Sequence, residues 1–113
     1  MTPPGISELL MLSFEGTDVP PDLLTRVGSA PPAGVTLFRA DNIESIDQVR
    51  ELTGSLQRAN QQDLPLLIAV DQEGGQLLAA GEDTTAFPGN MALGAAADPD
   101  LTYRVGVAIA REL

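Results

Sequence analysis

An α/β fold with a parallel sheet is what these 113 residues predict. Apolar runs alternate with amphipathic stretches in the order strand, helix, strand, helix, strand, long loop, helix, the pattern of parallel strands joined by right-handed crossovers. The run Pro65-Leu66-Leu67-Ile68-Ala69-Val70 is continuously apolar, which predicts a strand buried on both faces. It stops abruptly at Asp71-Gln72-Glu73-Gly74-Gly75. Two carboxylates therefore fall at the C-terminal mouth of that strand, where parallel α/β folds bind ligands.

Each element has its own signal. Residues 8–14 are apolar enough for a first short strand, and Glu15-Gly16-Thr17-Asp18 turns the chain. Pro20-Pro21-Asp22 opens a short helix with Leu23, Leu24 and Val27 on its apolar side. Gly28 and Pro31-Pro32 are expected to end it. Val35–Phe38 is the second strand. Ser45 is an N-cap, and Gln48 three residues later predicts a capping box. Ile46, Val49, Leu52, Leu56 and Ala59 follow at helical spacing and face the sheet, while Arg50, Glu51, Gln57 and Arg58 face water. Asn60-Gln61-Gln62-Asp63 leads into the third strand. Residues 76–90 show no period and are expected to form a long loop, with a polar tip at Glu82-Asp83-Thr84-Thr85 and a rigid turn at Phe87-Pro88-Gly89. A long loop on the mouth side of a strand is often functional. Asp98 then caps a helix with Pro99 in its first position and Leu101, Val105, Ala108 and Ile109 on its apolar face.

Composition narrows the chemistry. Sixteen acidic residues oppose six basic ones for a net charge of −10; all six are Arg, and none lies between Ala59 and Tyr103. This cation-free stretch argues against phosphate, nucleotide and nucleic-acid ligands, which need positive groups or ordered amide cradles. Gly74-Gly75 is not a dinucleotide fingerprint, and without lysine there is no phosphate-loop lysine. A neutral polyhydroxylated ligand is compatible, because carboxylates accept hydrogen bonds from hydroxyls. There is no Cys and no His, hence no disulfide, thiolate or imidazole chemistry. Asp41, Asp71 and Glu73 could meet a divalent ion, but nothing fixes a ligand set. Met1-Thr2-Pro3-Pro4-Gly5 lacks the features of a signal peptide, and no apolar run approaches a membrane span; a soluble cytoplasmic protein is the expectation.

Asp71 and Glu73 also admit two plainer readings. They can be the polar turn after a strand, with Gly74 and Gly75 supplying unusual dihedrals. They can also be an acid and nucleophile pair, since two residues apart in an extended chain they lie on one side, with α-carbons about 7 Å apart.

Val70-Asp71-Gln72-Glu73-Gly74-Gly75 resembles the Asp-x-Glu-Gly-Gly signature of glycoside hydrolase family 3, in its bacterial β-N-acetylhexosaminidase branch. Other blocks resemble the same family in the correct order: Glu8–Gly16 its first strand, Gly34–Ile43 its second strand and following loop, Phe87–Ala95 the proline-containing stretch, and Asp98–Leu101 the helix after it. The resemblance implies that residues 1–113 are part of the family's N-terminal domain, the first three strands of a TIM-type (β/α)8 barrel. Such barrels need about 250 residues, and the sequence stops within a helix at Arg111-Glu112-Leu113, so the chain reads as truncated.

In the complete enzyme the resemblance implies removal of terminal β-linked N-acetylglucosamine, with retention through a covalent glycosyl-aspartate. The substrate would be an N-acetylglucosamine-containing glycan or cell-wall fragment, with no cofactor, no metal, no nucleic acid and no membrane partner. The nucleophile and acid belong to later segments of the family, which leaves no catalytic residue in this chain. Asp71 is implied as a ligand of sugar hydroxyls, and Glu73, Gly74 and Gly75 as the residues that shape the turn. The family usually has arginines where this chain has Gln76 and Ala79. The alternative is a truncated, non-catalytic sugar-binding or structural remnant.

Overall fold

The computed structural model describes residues 5–81 and 84–113. Met1–Pro4, part of the segment read for a signal peptide, and Glu82 and Asp83 of the expected loop tip lie outside the described residues. The chain forms two compact units, one ending at Val70 and the other Asp71–Leu113.

The first unit holds the predicted alternation. A 3-10 turn, Ile6–Leu9, precedes β1 (Met11–Leu12); α1 (Pro21–Ser29), β2 (Gly34–Leu37), the single turn α2 (Arg39–Asn42), α3 (Ile46–Ala59) and β3 (Leu67–Val70) follow. The strands lie in the order β1-β2-β3, both pairings parallel, with Met11 beside Gly34, Gly34 beside Leu67 and Leu37 beside Val70. The parallel α/β prediction is borne out.

Four local expectations change. The first strand is two residues rather than seven, because residues 6–9 coil into the 3-10 turn. Gly28 does not end α1 but sits in its last turn, and the helix stops at Ser29, before Pro31-Pro32. The capping box is altered: the Ser45 hydroxyl accepts the Gln48 N–H at 3.2 Å, but the Gln48 carboxamide reaches past Ser45 to accept the Glu44 N–H at 3.1 Å. β3 is not buried on both faces, since Leu67 is 64% exposed.

Strand alternation explains the last point. Val35 and Leu37 share one face of β2, and both are buried with Leu23 and Val27 of α1, Leu52 and Leu56 of α3, and Leu66. Ile68 of β3 packs against this cluster. Leu67 and Ala69 alternate to the other face, beside Gly34 and Thr36. Leu37 therefore belongs to the helix-covered side, and Leu67 and Ala69 to the opposite face. The Gln57 side chain fastens α3 to the entry of β3, donating to the Leu66 carbonyl at 2.9 Å and accepting its N–H at 3.0 Å.

Asn42, fully buried, ties the strand mouths together. Its amide donates to the carbonyls of Phe14 at 3.0 Å and Gly16 at 2.9 Å. Its Oδ1 accepts the Phe38 N–H at 2.9 Å, while its own N–H returns to the Phe38 carbonyl at 2.8 Å. Gln48 extends the network by donating to the carbonyls of Thr17 at 2.6 Å and Asn42 at 3.1 Å.

The second unit contains a small antiparallel hairpin, β4 (Gln72–Gly74) with β5 (Leu77–Leu78). α4 (Asn90–Ala96) and α5 (Pro99–Glu112) follow. Asp98 caps α5 as predicted, its carboxylate accepting the Leu101 N–H at 3.0 Å. The Glu112 carboxylate accepts both the backbone N–H, at 3.0 Å, and the hydroxyl of Thr85, which anchors the incoming loop to the far end of α5.

Two outcomes follow. Asn42→Ala leaves two carbonyls and one N–H without their partner, at about 1–3 kcal/mol for each group that stays buried and unsatisfied. It should lower the stability of the purified chain by about 3 kcal/mol, read as a fall in the urea midpoint at constant slope. A loss under about 1 kcal/mol would show that water replaces the amide. Second, β3 has an unpaired edge among the described residues, and Leu64 and Leu67 are exposed beside it. Such an edge promotes association, so sedimentation should detect concentration-dependent oligomers that Leu67→Lys diminishes. A monodisperse monomer with a sharp thermal transition would contradict this.

Candidate functional site

Asp71 follows directly on the last residue of β3, and the segment after it is not the irregular loop expected from residues 76–90. It is a hairpin. Gln72 pairs with Leu78 and Gly74 with Leu77, with a register shift between the two pairs. The sequence concealed it because each strand is only two or three residues long, too short for a period-2 pattern to emerge.

Gly74 and Gly75 make the turn, with φ of +77° and +62°, in the left-handed region that favours glycine. Gly74 has a second requirement. A Cβ there would lie 2.8 Å from the carbonyl oxygens of both Phe87 and Pro88. The Gly75 N–H donates to the Phe87 carbonyl at 2.7 Å. The Phe87-Pro88-Gly89 stretch is thus pressed against the double glycine, which gives the rigid turn read in the sequence its partner.

Along β4 the side chains alternate. Asp71 and Glu73 are exposed, and Gln72 between them is half-buried. The Gln72 Oε1 accepts the Ala80 N–H at 3.0 Å, and its Nε2 donates to the Thr84 hydroxyl at 3.0 Å. Thr84 is buried and donates onward to the Gly81 carbonyl at 2.8 Å. Thr84 is therefore no loop tip. Among the described residues, neither the Asp71 nor the Glu73 carboxylate is engaged in a hydrogen bond or ion pair. Glu73 offers its side chain to solvent, while the turn is shaped by the two glycines and by Gln72. Sequence reasoning passed over Gln72 and Thr84; the one available signal was a long polar side chain flanked by two acids.

Chemically, the segment offers two carboxylates, unengaged among the described residues, as acceptors for hydroxyl or amide donors. Gln76 and Ala79 bring no cation beside them. Among the described residues no three carboxylates assemble into a metal site. A separate groove of about 490 Å³ between α4 and α5, lined by Leu93, Ala97, Pro99 and Tyr103, includes neither Asp71 nor Glu73.

The double glycine makes a direct prediction. Gly74→Ala meets both the left-handed φ and the two carbonyls, whereas Gly81→Ala, at φ +99° with nothing within 4 Å, meets only the backbone strain. Both should destabilise, the first by roughly 1–3 kcal/mol more than the second, the scale of an overpacked site. Equal thermal shifts would mean that Phe87 and Pro88 yield freely.

The profile of the glycosyl hydrolase family 3 N-terminal domain matches residues 6–113. The chain is 42% identical over 83 residues to beta-hexosaminidase A of Pseudoalteromonas piscicida, covering 70% of this chain and 14% of that protein. It is 36% identical over 110 residues to the beta-hexosaminidase of Alkalilimnicola ehrlichii, covering 92% of this chain and 31% of that one. It therefore spans at most about a third of the length of these two curated relatives. Among solved structures, a glycoside hydrolase family 3 β-N-acetylglucosaminidase from Paenibacillus sp. str. FPU-7 superposes with a TM-score of 0.81 at 35% identity, over 91% of this chain and 20% of that one. NagZ from Neisseria gonorrhoeae, solved in complex with N-trifluoroacetyl-D-glucosamine, superposes at 0.62 with 27% identity, over 73% of this chain and 23% of that one. With three parallel strands in register, Asp71-Gln72-Glu73-Gly74-Gly75 leaving the third, and a profile match across nearly its whole length, the chain belongs to the glycosyl hydrolase family 3 N-terminal-domain family.

Proposed function

We propose that this chain supplies the first strands of a (β/α)8 barrel in a retaining β-N-acetylhexosaminidase, and that Asp71 is a ligand of the sugar rather than the group that attacks it. The observation that carries this reading is the position of Asp71. It leaves the C-terminal end of a parallel strand as an exposed carboxylate with no protein partner among the described residues, free to accept hydrogen bonds from hydroxyls. The relatives named beta-hexosaminidase and the neighbour solved with an N-acylated glucosamine support N-acetylglucosamine as the sugar. The acid and the aspartate nucleophile would come from later segments of a complete enzyme. Asp71 and Glu73 are then not the catalytic pair, and no metal or organic cofactor enters the reaction.

A second reading, sugar binding without hydrolysis, is favoured by one observation. Gln76 and Ala79 stand where the family usually carries arginines, so the Asp71–Gly75 segment has two carboxylates with no cationic donor near them in the sequence.

The deciding experiment replaces the matching region of the Alkalilimnicola ehrlichii enzyme with this chain and assays an aryl β-N-acetylglucosaminide. The chimaera should turn over, and Asp71→Ala should lower kcat/KM by about 10- to 150-fold. That is the loss of one hydrogen bond to a charged group, about 1.5–3 kcal/mol. The 113-residue chain alone should show no turnover. An inactive but folded chimaera that still binds N-acetylglucosamine selects the non-catalytic reading. A mechanism-trapped sugar attached to Asp71 itself would overturn the assignment of that residue.

A further inference from the structure

Gln72 stands between the two exposed carboxylates and, among the described residues, is the one side chain of the Asp71–Gly75 segment that is engaged internally. It is half-buried, while Asp71 and Glu73 on either side of it are exposed. Its carboxamide uses both ends. Oε1 accepts the N–H of Ala80, eight residues on, at 3.0 Å, and Nε2 donates to the hydroxyl of buried Thr84 at 3.0 Å. Thr84 in turn is held by its bond to the Gly81 carbonyl at 2.8 Å. The two-pair ladder of β4 and β5 is too short to fix a strand's direction by itself, and its register is already shifted between Gln72 and Gly74. The carboxamide supplies a second attachment, from side chain to loop.

We propose that Gln72 is a positioning residue for carbohydrate binding: tethered to Ala80 and Thr84, it sets the direction in which Asp71 projects toward the sugar hydroxyls. This rests on the reading of Asp71 as a sugar ligand. Gln72 does not touch the sugar. It acts through the backbone of its two neighbours, so its loss weakens binding without removing a ligand group.

The test uses the full 113-residue chain, titrated with N-acetylglucosamine and followed by amide NMR. Gln72→Met keeps length and volume but loses both bonds. It should accelerate exchange of the Ala80 N–H and weaken sugar binding, each by about tenfold, the change expected from about one net hydrogen bond. Thr84→Val should weaken binding in the same direction, and Thr84→Ser, which keeps the hydroxyl, should restore it. Val105→Ala, a core truncation in α5, controls for general destabilisation and should leave the affinity unchanged. Wild-type affinity in Gln72→Met alongside accelerated Ala80 exchange would overturn the proposal, as would an equal loss in Val105→Ala. If the 113-residue chain binds no sugar, affinity is measured in the chimaera with the Alkalilimnicola ehrlichii enzyme, and a folded chimaera that binds none sinks the sugar-ligand reading of Asp71. Positioning is then judged from the backbone couplings of Asp71 and Glu73. A change in Gln72→Met supports the tether, and unchanged couplings overturn it.

Discussion

The fully buried carboxamide of Asn42 is the contact on which the first unit's loops depend. β1 is only two residues long, so its ladder to β2 cannot by itself fix the chain that follows it. Asn42 does so from the other side, holding the carbonyls of Phe14 and Gly16 while closing the single turn of α2 on Phe38. Inside a protein such bonds are stronger than in water and costly to leave half made. No buried side-chain polar atom lacks a partner among the described residues, so the network is complete. Hydrophobic burial positions α1 and α3 on the sheet through Val27, Val35, Leu52 and Leu56. It is the polar network that decides where the strand mouths point.

The second unit solves a similar problem with different means. Asp71–Gly75 has no long ladder either. Its course is set by two left-handed glycines, by the press of Phe87 and Pro88 against Gly74, and by the Gln72 tether. In both units a side-chain amide spans loops that the strands are too short to control. Among the described residues the Asp71 and Glu73 carboxylates stay unengaged, because the work of holding this turn falls to the glycines and to Gln72. That division suits a binding segment: a carboxylate spent on its own turn would have fewer lone pairs for a ligand.

The legibility of this chain in its sequence follows the length of each signal. The parallel alternation, the Ser45 and Asp98 caps, and the α3 stripe from Val49 to Leu56 were readable because each rests on a periodic run or a local capping rule. The hairpin was not, for want of length. α4 was not, because Met91-Ala92-Leu93-Gly94-Ala95-Ala96 offers only two large apolar residues and its cap, Gly89, gives no side-chain bond. Asn42 and Thr84 were hidden for another reason. A lone polar residue in a loop reads as solvent-facing, and only the tertiary fold reveals that it is buried and fully bonded. The exposure of Leu67 was equally out of reach, since an apolar run shows that a strand can be covered on both faces, not that both covers are present.

The sheet's two faces sharpen the functional reading. The helix-covered face, with Val35, Leu37 and Ile68, is closed by its own unit. The other face carries Leu67, which is exposed; Thr36 and Ala69, on the same side, are half-buried. An uncovered apolar side chain on a strand whose outer edge is also unpaired among the described residues has no stabilising role by itself. Each large aliphatic side chain left in water forgoes about 1.5–3 kcal/mol of burial. In a closed (β/α)8 barrel that face is the packed interior and the edge is paired. The features that look unfavourable in this chain are thus the ones that barrel closure would turn into core. The same closure would gather the strand mouths, and with them Asp71, around a common opening. The proposed sugar site and the exposed Leu67 therefore stand or fall on one physical event, the burial of this sheet face.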